Sequence, residues 1–436
     1  RVALRAGLGD RWTLDILAAG QRLKSRDTQY TAFDQNGRPS TNQVREASDN
    51  DFAQLAATLH GELGWADLTA STSYVNHAYA SLYDAGALVR AFSELGVGEG
   101  GALGIYSESA RIHRLVQDVV VTSTDASAVS WLAGLYGSAS VERTPSSLDI
   151  VASAAAAPLL AASGIARAPA ATSAVGTAAA PGAPLVRVYN ENRRDALQEL
   201  AIYGEGTWRF APGWTVSAGA RVFDTELQVR AAIVGAPPAR SRDVDENRSF
   251  SGVASKLSLQ HQFDGEGPLV YGLFSEGFRP GGVNTTNFVG VGGLLHPQRA
   301  TFEPDRLENF EVGAKARFFD RRLTVRAAGF YDLWDNLQSD QYRPSGLAYT
   351  ANVGDAHIRG LEVEAAYAWD FGLTVQANAL YSAPRFTHAN PDFAGQLASG
   401  LPGAPKLSGG FLARYDHPLS GDLTLRLVGL ANYVGP

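Results

Sequence analysis

Arg279-Pro280-Gly281-Gly282-Val283-Asn284 places a guanidinium and an amide on either side of a proline and two glycines, which give the chain room for a tight exit from a strand. Both end residues are hydrogen-bond donors, and a guanidinium suits carboxylate or catecholate oxygens. Tyr342 and Arg343 place two more donors at another loop entrance. These four residues are the candidate ligand-binding set. Catalysis and metal binding find no such footing. Gly96-Val97-Gly98-Glu99-Gly100-Gly101 matches a dinucleotide fingerprint in its letters, yet no strand leads in and no helix follows, so it reads as a loop. Asp243, Asp245 and Asn247 begin like a calcium loop, but Arg248 stands where the turn glycine belongs and Ala254 where the bidentate glutamate belongs. The 8 histidines are scattered, no Gly-x-Ser-x-Gly elbow occurs and there are 0 cysteines. No catalytic residue, metal site or cofactor is therefore expected.

The elements that must carry these residues follow from alternation. From Phe310 the even positions read Phe310, Val312, Ala314, Ala316 and Phe318, with Glu311, Gly313, Lys315 and Arg317 between them. Leu361, Val363, Ala365, Tyr367 and Trp369 alternate with Glu362 and Glu364; Leu373 to Tyr381, Trp214 to Val222 and Leu423 to Leu427 repeat the scheme. A period of two puts every second side chain on one sheet face, whereas a helix needs apolar spacings of three and four. Arg114 to Val121 carries valines on both parities and is expected to be buried on both sides.

Short polar turns lie at Gly9-Asp10, Gly61 to Gly64, Thr124 to Ala126, Ala211-Pro212-Gly213, Asp264 to Gly267, Asp320-Arg321, Asp370 to Gly372 and Pro418 to Asp422. Between them run long stretches: Asp27 to Ser48, Ala80 to Glu108, Arg143 to Leu185, Ala231 to Asp245, Arg279 to Pro304, Gln341 to Ala351 and His388 to Pro405. The alanine-rich stretch from Arg143 to Leu185 reads as a mobile surface loop, with a short helix at a barrel mouth as the alternative. Strands flanking eight short turns number 16. Short connections at one end and long loops at the other are the layout of an outer-membrane barrel.

Composition is compatible. Lys and Arg total 37 against 44 Asp and Glu, a net charge of −7, which leaves no basic surface for nucleic acid. Hydrophobic residues make up 45%, yet no apolar run approaches the roughly 18 to 20 residues of a membrane-spanning helix. Soluble all-β protein and membrane barrel remain. Arg321 to Gln338 and Asp355 to Trp369 are longer than the roughly 5 to 6 residues common in globular sheets. Lys315, Arg317, Glu362, Glu364, Arg221 and Arg326 keep to the polar parity, and Trp12, Trp65, Trp214, Trp369, Tyr381 and Tyr433 stand where interfacial girdles would form. With 0 Met and an opening in mid-pattern, the chain reads as a fragment.

Residue strings then become recognisable. Tyr271 to Asn284, followed by Pro304 and Leu307 to Lys315, resembles the barrel of TonB-dependent outer-membrane receptors, within the group of pesticin and yersiniabactin receptors. Phe330-Tyr331-Asp332 with Trp334-Asp335-Asn336 and Gln338, then Asn352 to Ala356 with Gly360-Leu361-Glu362, are similar to the next two strands. Leu115 to Asp118 with Trp131 to Tyr136 resembles an earlier hairpin, with Asp118 where glutamate is more usual. The resemblance implies an all-β transmembrane antiparallel β-barrel, of which residues 1–436 hold about 16 of 22 strands, without the plug domain and closing strands. It also implies a monomer in bacterial outer-membrane lipid, energised by the TonB complex and carrying a ferric siderophore or another scarce nutrient. A passive porin is the rival reading, for which 16 strands is a natural number. An outer-membrane hydrolase would need a constellation that is not found.

Overall fold

The computed structural model describes residues 1–28, 42, 44–86, 104–124, 128–151, 185–235, 241–265, 267–285, 300–342, 348–391, 401, 404–421 and 423–435. The strands, in chain order, are β1 (Val2–Gly7), β2 (Trp12–Ser25), β3 (Ser48–Glu62), β4 (Ala66–Asp84), β5 (Gly104–Ser123), β6 (Val129–Val151), β7 (Leu185–Ala211), β8 (Trp214–Gly235) and β9 (Arg242–Gln262). They continue as β10 (Leu269–Arg279), β11 (Gly282–Val283), β12 (Thr301–Phe302), β13 (Asp305–Phe318), β14 (Leu323–Tyr342), β15 (Ala348–Ala368), β16 (Leu373–Ala389), β17 (Leu407–Ser420) and β18 (Leu423–Val434). Apart from the small β11–β12 ribbon, they form one 16-stranded sheet in which each strand pairs with its neighbours in sequence, from β1 at one edge to β18 at the other. The pairings are antiparallel. The expected 16 strands are thus borne out, and of the eight short turns those at Thr124 to Ala126, Asp264 to Gly267 and Pro418 to Asp422 lie in part outside the described residues. At the β7–β8 turn Gly213 has φ 74°, and a Cβ there would meet the Gln262 carbonyl oxygen at 2.4 Å, so only glycine fits.

One face of the sheet is bare and apolar. Val312 is 71% exposed, Val253 60%, Val222 52% and Leu361 52%, with no second sheet over them among the described residues. The opposite face carries cross-strand polar pairs: Arg221 with Glu199 at 2.5 Å, Lys256 with Glu205 at 3.0 Å, Arg326 with Glu364 at 3.1 Å and Tyr203 with Asp118 at 2.9 Å. An apolar skin around a polar lumen is what a closed wall in hydrocarbon requires, because charges there must turn inward. Near the short turns, aromatic rings follow one another: Trp208 to Phe210 at 5.6 Å, Phe210 to Trp214 at 6.2 Å, then Trp214 to His261 and His261 to Phe263 at 4.4 Å each. Tyr367, Trp369, Phe371 and Tyr415 continue in the same way on later strands. Amphipathic rings in rows at one level form an interfacial girdle.

The strands run further from the turns than the loop limits predicted from sequence. Arg143 to Val151, expected as loop, is the upper part of β6, and Ala231–Gly235 and Arg242–Asp245 belong to β8 and β9. Residues 152–184 and the Gly96–Gly101 string lie outside the described residues. In β5 the valines of both parities are half-buried rather than fully covered.

The β8–β9 pair explains why the pattern misleads. Its outward rungs run Trp214↔His261, Val216↔Leu259, Ala218↔Leu257, Ala220↔Ser255 and Val222↔Val253, then change to Asp224↔Ser251, Glu226↔Ser249, Gln228↔Asn247 and Arg230↔Asp245. The inward positions change the other way: Phe223, Thr225, Val229, Ala231 and Ile233 are buried. Trp214 to Val222, about 9 residues, matches the roughly 9 to 11 that a tilted strand needs to cross a bilayer.

β10 pairs with β9 only from Leu269↔Gln262 to Ser275↔Lys256, although β9 continues to Arg242. Above that point, among the described residues, β9 has a sheet partner on the β8 side alone. The Glu276 carboxylate takes the place of a strand there, accepting from the Ser255 N–H at 2.8 Å.

Candidate functional site

Two groups of side chains crown the lumen. The first gathers around Asp305, the first residue of β13, which is 2% exposed. Its carboxylate accepts from Arg279 Nε at 2.9 and 3.1 Å, from Arg279 Nη2, from Trp334 Nε1 at 2.9 Å and from the Gln338 N–H at 3.1 Å. Arg279 also donates to the Gln338 carbonyl at 3.1 Å and lies 5.2 Å above the Trp334 ring. The Gln338 amide in turn donates to the carbonyls of Pro280 and Glu303, at 3.0 Å each. A register shift in β14 between Trp334 and Leu337, with Asn336 at φ 56°, aims these groups at one point. Asn336 donates to the Pro304 carbonyl at 2.9 Å, and the Asn352 amide exchanges bonds with Glu303 at 2.7 and 2.9 Å.

Asn284 is read from the sequence as a donor for ligand. It is buried instead, and its amide donates to the Thr350 carbonyl at 2.7 Å and accepts from the Thr350 N–H at 3.0 Å, as a neighbouring strand would. Arg279 spends Nε and Nη2 on Asp305 yet keeps half its side chain exposed. Tyr342 closes β14 opposite Ala348, and Arg343 lies outside the described residues. The structure places Arg279 in the Asp305 network and ties Asn284 to the Thr350 backbone of β15. Arg279, Asn284, Trp334, Asn336, Gln338 and Asn352, spread over several strings of the sequence, lock three strand ends together.

The second group lines the inward face of β4 to β9, above the ion pairs. Cross-strand register puts Ser81, Glu108, Ser146 and Glu191 in one row and Tyr83, Tyr106, Leu148 and Tyr189 in the next. Glu108 accepts from Tyr79 at 3.2 Å and from Tyr106 at 3.3 Å. Tyr189 donates to Glu191, which is 3% exposed and whose second oxygen is buried without a hydrogen-bond partner among the described residues. Arg193 holds Asp195 at 2.6 and 2.7 Å and reaches the Thr285 hydroxyl at 3.1 Å, while Arg242 donates to the Thr285 carbonyl. Burial, with the nearby carboxylate second, pushes the Tyr189 hydroxyl up, and burial pulls the Arg242 guanidinium down. Each phenol gives its one proton to Glu108 or Glu191, so the donors left for an oxygen-rich anion are the remaining N–H groups of Arg193 and Arg242. No motif announces it. These residues lie far apart in sequence, and register alone assembles them.

Comparison with known proteins places the wall. Over 236 residues the chain is 22% identical to the pesticin receptor of Yersinia enterocolitica serotype O:8, covering 53% of this chain and 33% of that protein. The crystal structure of the ferric yersiniabactin uptake receptor FyuA from Yersinia pestis is similar with a TM-score of 0.71 at 15% identity, covering 98% of this chain and 57% of that one. The siderophore receptor PiuA from Acinetobacter baumannii is similar with a TM-score of 0.67 at 14% identity, covering 95% of this chain and 61% of that one. The chain thus spans less than two thirds of each of these relatives. Structural likeness at such identities establishes a shared fold. The family description "TonB dependent receptor-like, beta-barrel" matches residues 4–436, and the chain belongs to that family of receptor barrels, not to an enzyme family.

Proposed function

We propose that this barrel forms the wall of an outer-membrane receptor that imports a bulky, scarce, oxygen-rich chelate, energised through TonB, and that the cargo is a ferric siderophore or a similar iron complex. The observation that carries this reading is the pair of guanidinium groups at the mouth, Arg193 and Arg242, whose remaining N–H groups offer cationic donors above a lumen lined with ion pairs. Charge-assisted donors suit the carboxylate, catecholate or hydroxamate oxygens with which chelators hold iron. Among the similar structures are a ferric yersiniabactin uptake receptor and a siderophore receptor. Within this reading Arg279 meets cargo through its exposed half, Asn284 sets the position of that corner, and Tyr342 and Arg343 extend the donor set along the adjoining loop. The receptor works as a monomer in lipid, with the TonB complex as its partner.

The test is uptake of labelled ferric chelates by a deletion strain carrying the gene or its Arg242→Ala variant. At least one chelate is expected to depend on the gene, and the variant to lower affinity for it at an unchanged level of folded barrel. Uptake that is indifferent to the deletion across a broad panel of iron chelates overturns the assignment.

A further inference from the structure

A rung of arginines crosses the outer wall at the upper margin of the apolar belt. Arg111 on β5 is the cross-strand partner of Arg143 on β6, Arg143 of Arg194 on β7, and Arg194 of Arg230 on β8. Each lies an even number of residues from an exposed apolar position on its own strand, Leu115, Leu135, Leu200 and Val222 respectively, so all four share the outward face. On β6 the apolar series ends at Val141 and Arg143 follows as the next outward residue.

Like charges directly opposed across strands destabilise a sheet, and here three such contacts are consecutive. Protein carboxylates relieve the flanks only. Arg230 has Asp245 at 3.3 Å, and on the neighbouring strands Arg22 has Asp51 at 2.6 Å and Lys24 has Asp49 at 3.3 Å. Asp149 on β6 is taken by Arg187 at 2.9 Å. Among the described residues Arg111, Arg143 and Arg194 form no ion pair. With strands about 4.8 Å apart, their guanidinium forks stand side by side at a spacing that suits the oxygens of phosphate groups. A hydrocarbon-facing surface lies directly beneath them.

We propose that Arg111, Arg143 and Arg194 bind the phosphorylated headgroup of an outer-leaflet lipid, whose acyl chains lie along the apolar belt below. This rests on the outer-membrane reading, and the experiment separates the two. The full chain, purified in neutral detergent, is offered phosphatidic acid or phosphatidylcholine in mixed micelles, and retained lipid is read by native mass spectrometry. The unaltered protein is expected to retain phosphatidic acid severalfold over phosphatidylcholine and to keep it against excess inorganic phosphate. R111Q/R143Q/R194Q is expected to lose that preference while migrating as a folded barrel on an unboiled gel. The single Arg143→Gln variant is expected to weaken the preference if the triple variant does not fold. Undiminished preference in the folded triple variant, or in the single variant, overturns the proposal. Displacement by inorganic phosphate overturns the lipid assignment in favour of a free-anion site. Extraction of the unaltered protein from membranes by alkaline carbonate overturns the outer-membrane reading itself, whereas stable insertion with no headgroup preference overturns the rung alone.

Discussion

Below the Val222–Val253 rung, β8 and β9 turn apolar side chains outward and polar ones inward; above it they expose Asp224, Glu226, Gln228 and Arg230 and bury Phe223, Val229, Ala231 and Ile233. The backbone repeat is the same in both regions. What changes is the surroundings of each face: hydrocarbon gives way to water outside, and a wet lumen gives way to a packed mouth inside. A side chain's parity therefore reports its height on the wall as well as its face, and the reversal marks where the bilayer ends.

The comparison implies that the two regions fail for different reasons. The largest effect is expected in the upper one. Asp305→Ala removes the acceptor shared by Arg279, Trp334 and Gln338 and should cost about 3 to 5 kcal/mol, seen as early proteolysis of the mouth while the belt stays inserted. Simultaneous loss of both regions would show that they are one cooperative unit. Next, Val312→Arg places charge on the hydrocarbon face and should cost about 2 to 4 kcal/mol in urea-driven unfolding from bilayers, whereas Gln228→Arg, outward but above the reversal, should stay within about 0.5 kcal/mol. Equal costs would erase the boundary. The smallest effect concerns pH. The folded state holds the Tyr189 proton more tightly than the unfolded chain does, so its contribution is complete below the ordinary phenol range, about pH 10, and declines as pH rises beyond it. Tyr189→Phe should cost about 1 to 3 kcal/mol at neutral pH and flatten that alkaline decline, measured as folded fraction against pH.

Where one rule held along a whole segment, the sequence was readable. Phe310 to Phe318, Leu361 to Ala368 and Trp214 to Val222 lie wholly within the belt, and each appears as the predicted strand with its charges on the inner face. The upper strands were read as loops because the alternation inverts at Phe223 and the apolar series then looks interrupted. Arg279 and Asn284 stood out as polar groups beside glycines, but their partners Asp305 and Thr350 are brought to them only by the β10–β13 and β14–β15 registers. The arginine rung was invisible for the same reason, since its members are more than thirty residues apart.

The incomplete pairing of β9 with β10 has a mechanical consequence. Among the described residues the upper rim is two panels, fastened above Ser275 by side-chain rivets: Glu276 on Ser255 at 2.8 Å, Phe223 against Phe278 at 4.6 Å, Arg248 on Glu303 at 2.6 Å and the grip of Arg193 and Arg242 on Thr285. Side-chain fastenings yield at lower load than a continuous ladder of amides. Strain applied at the mouth will concentrate in that notch, so the rim can spread there while the girdle around the turns keeps its circumference.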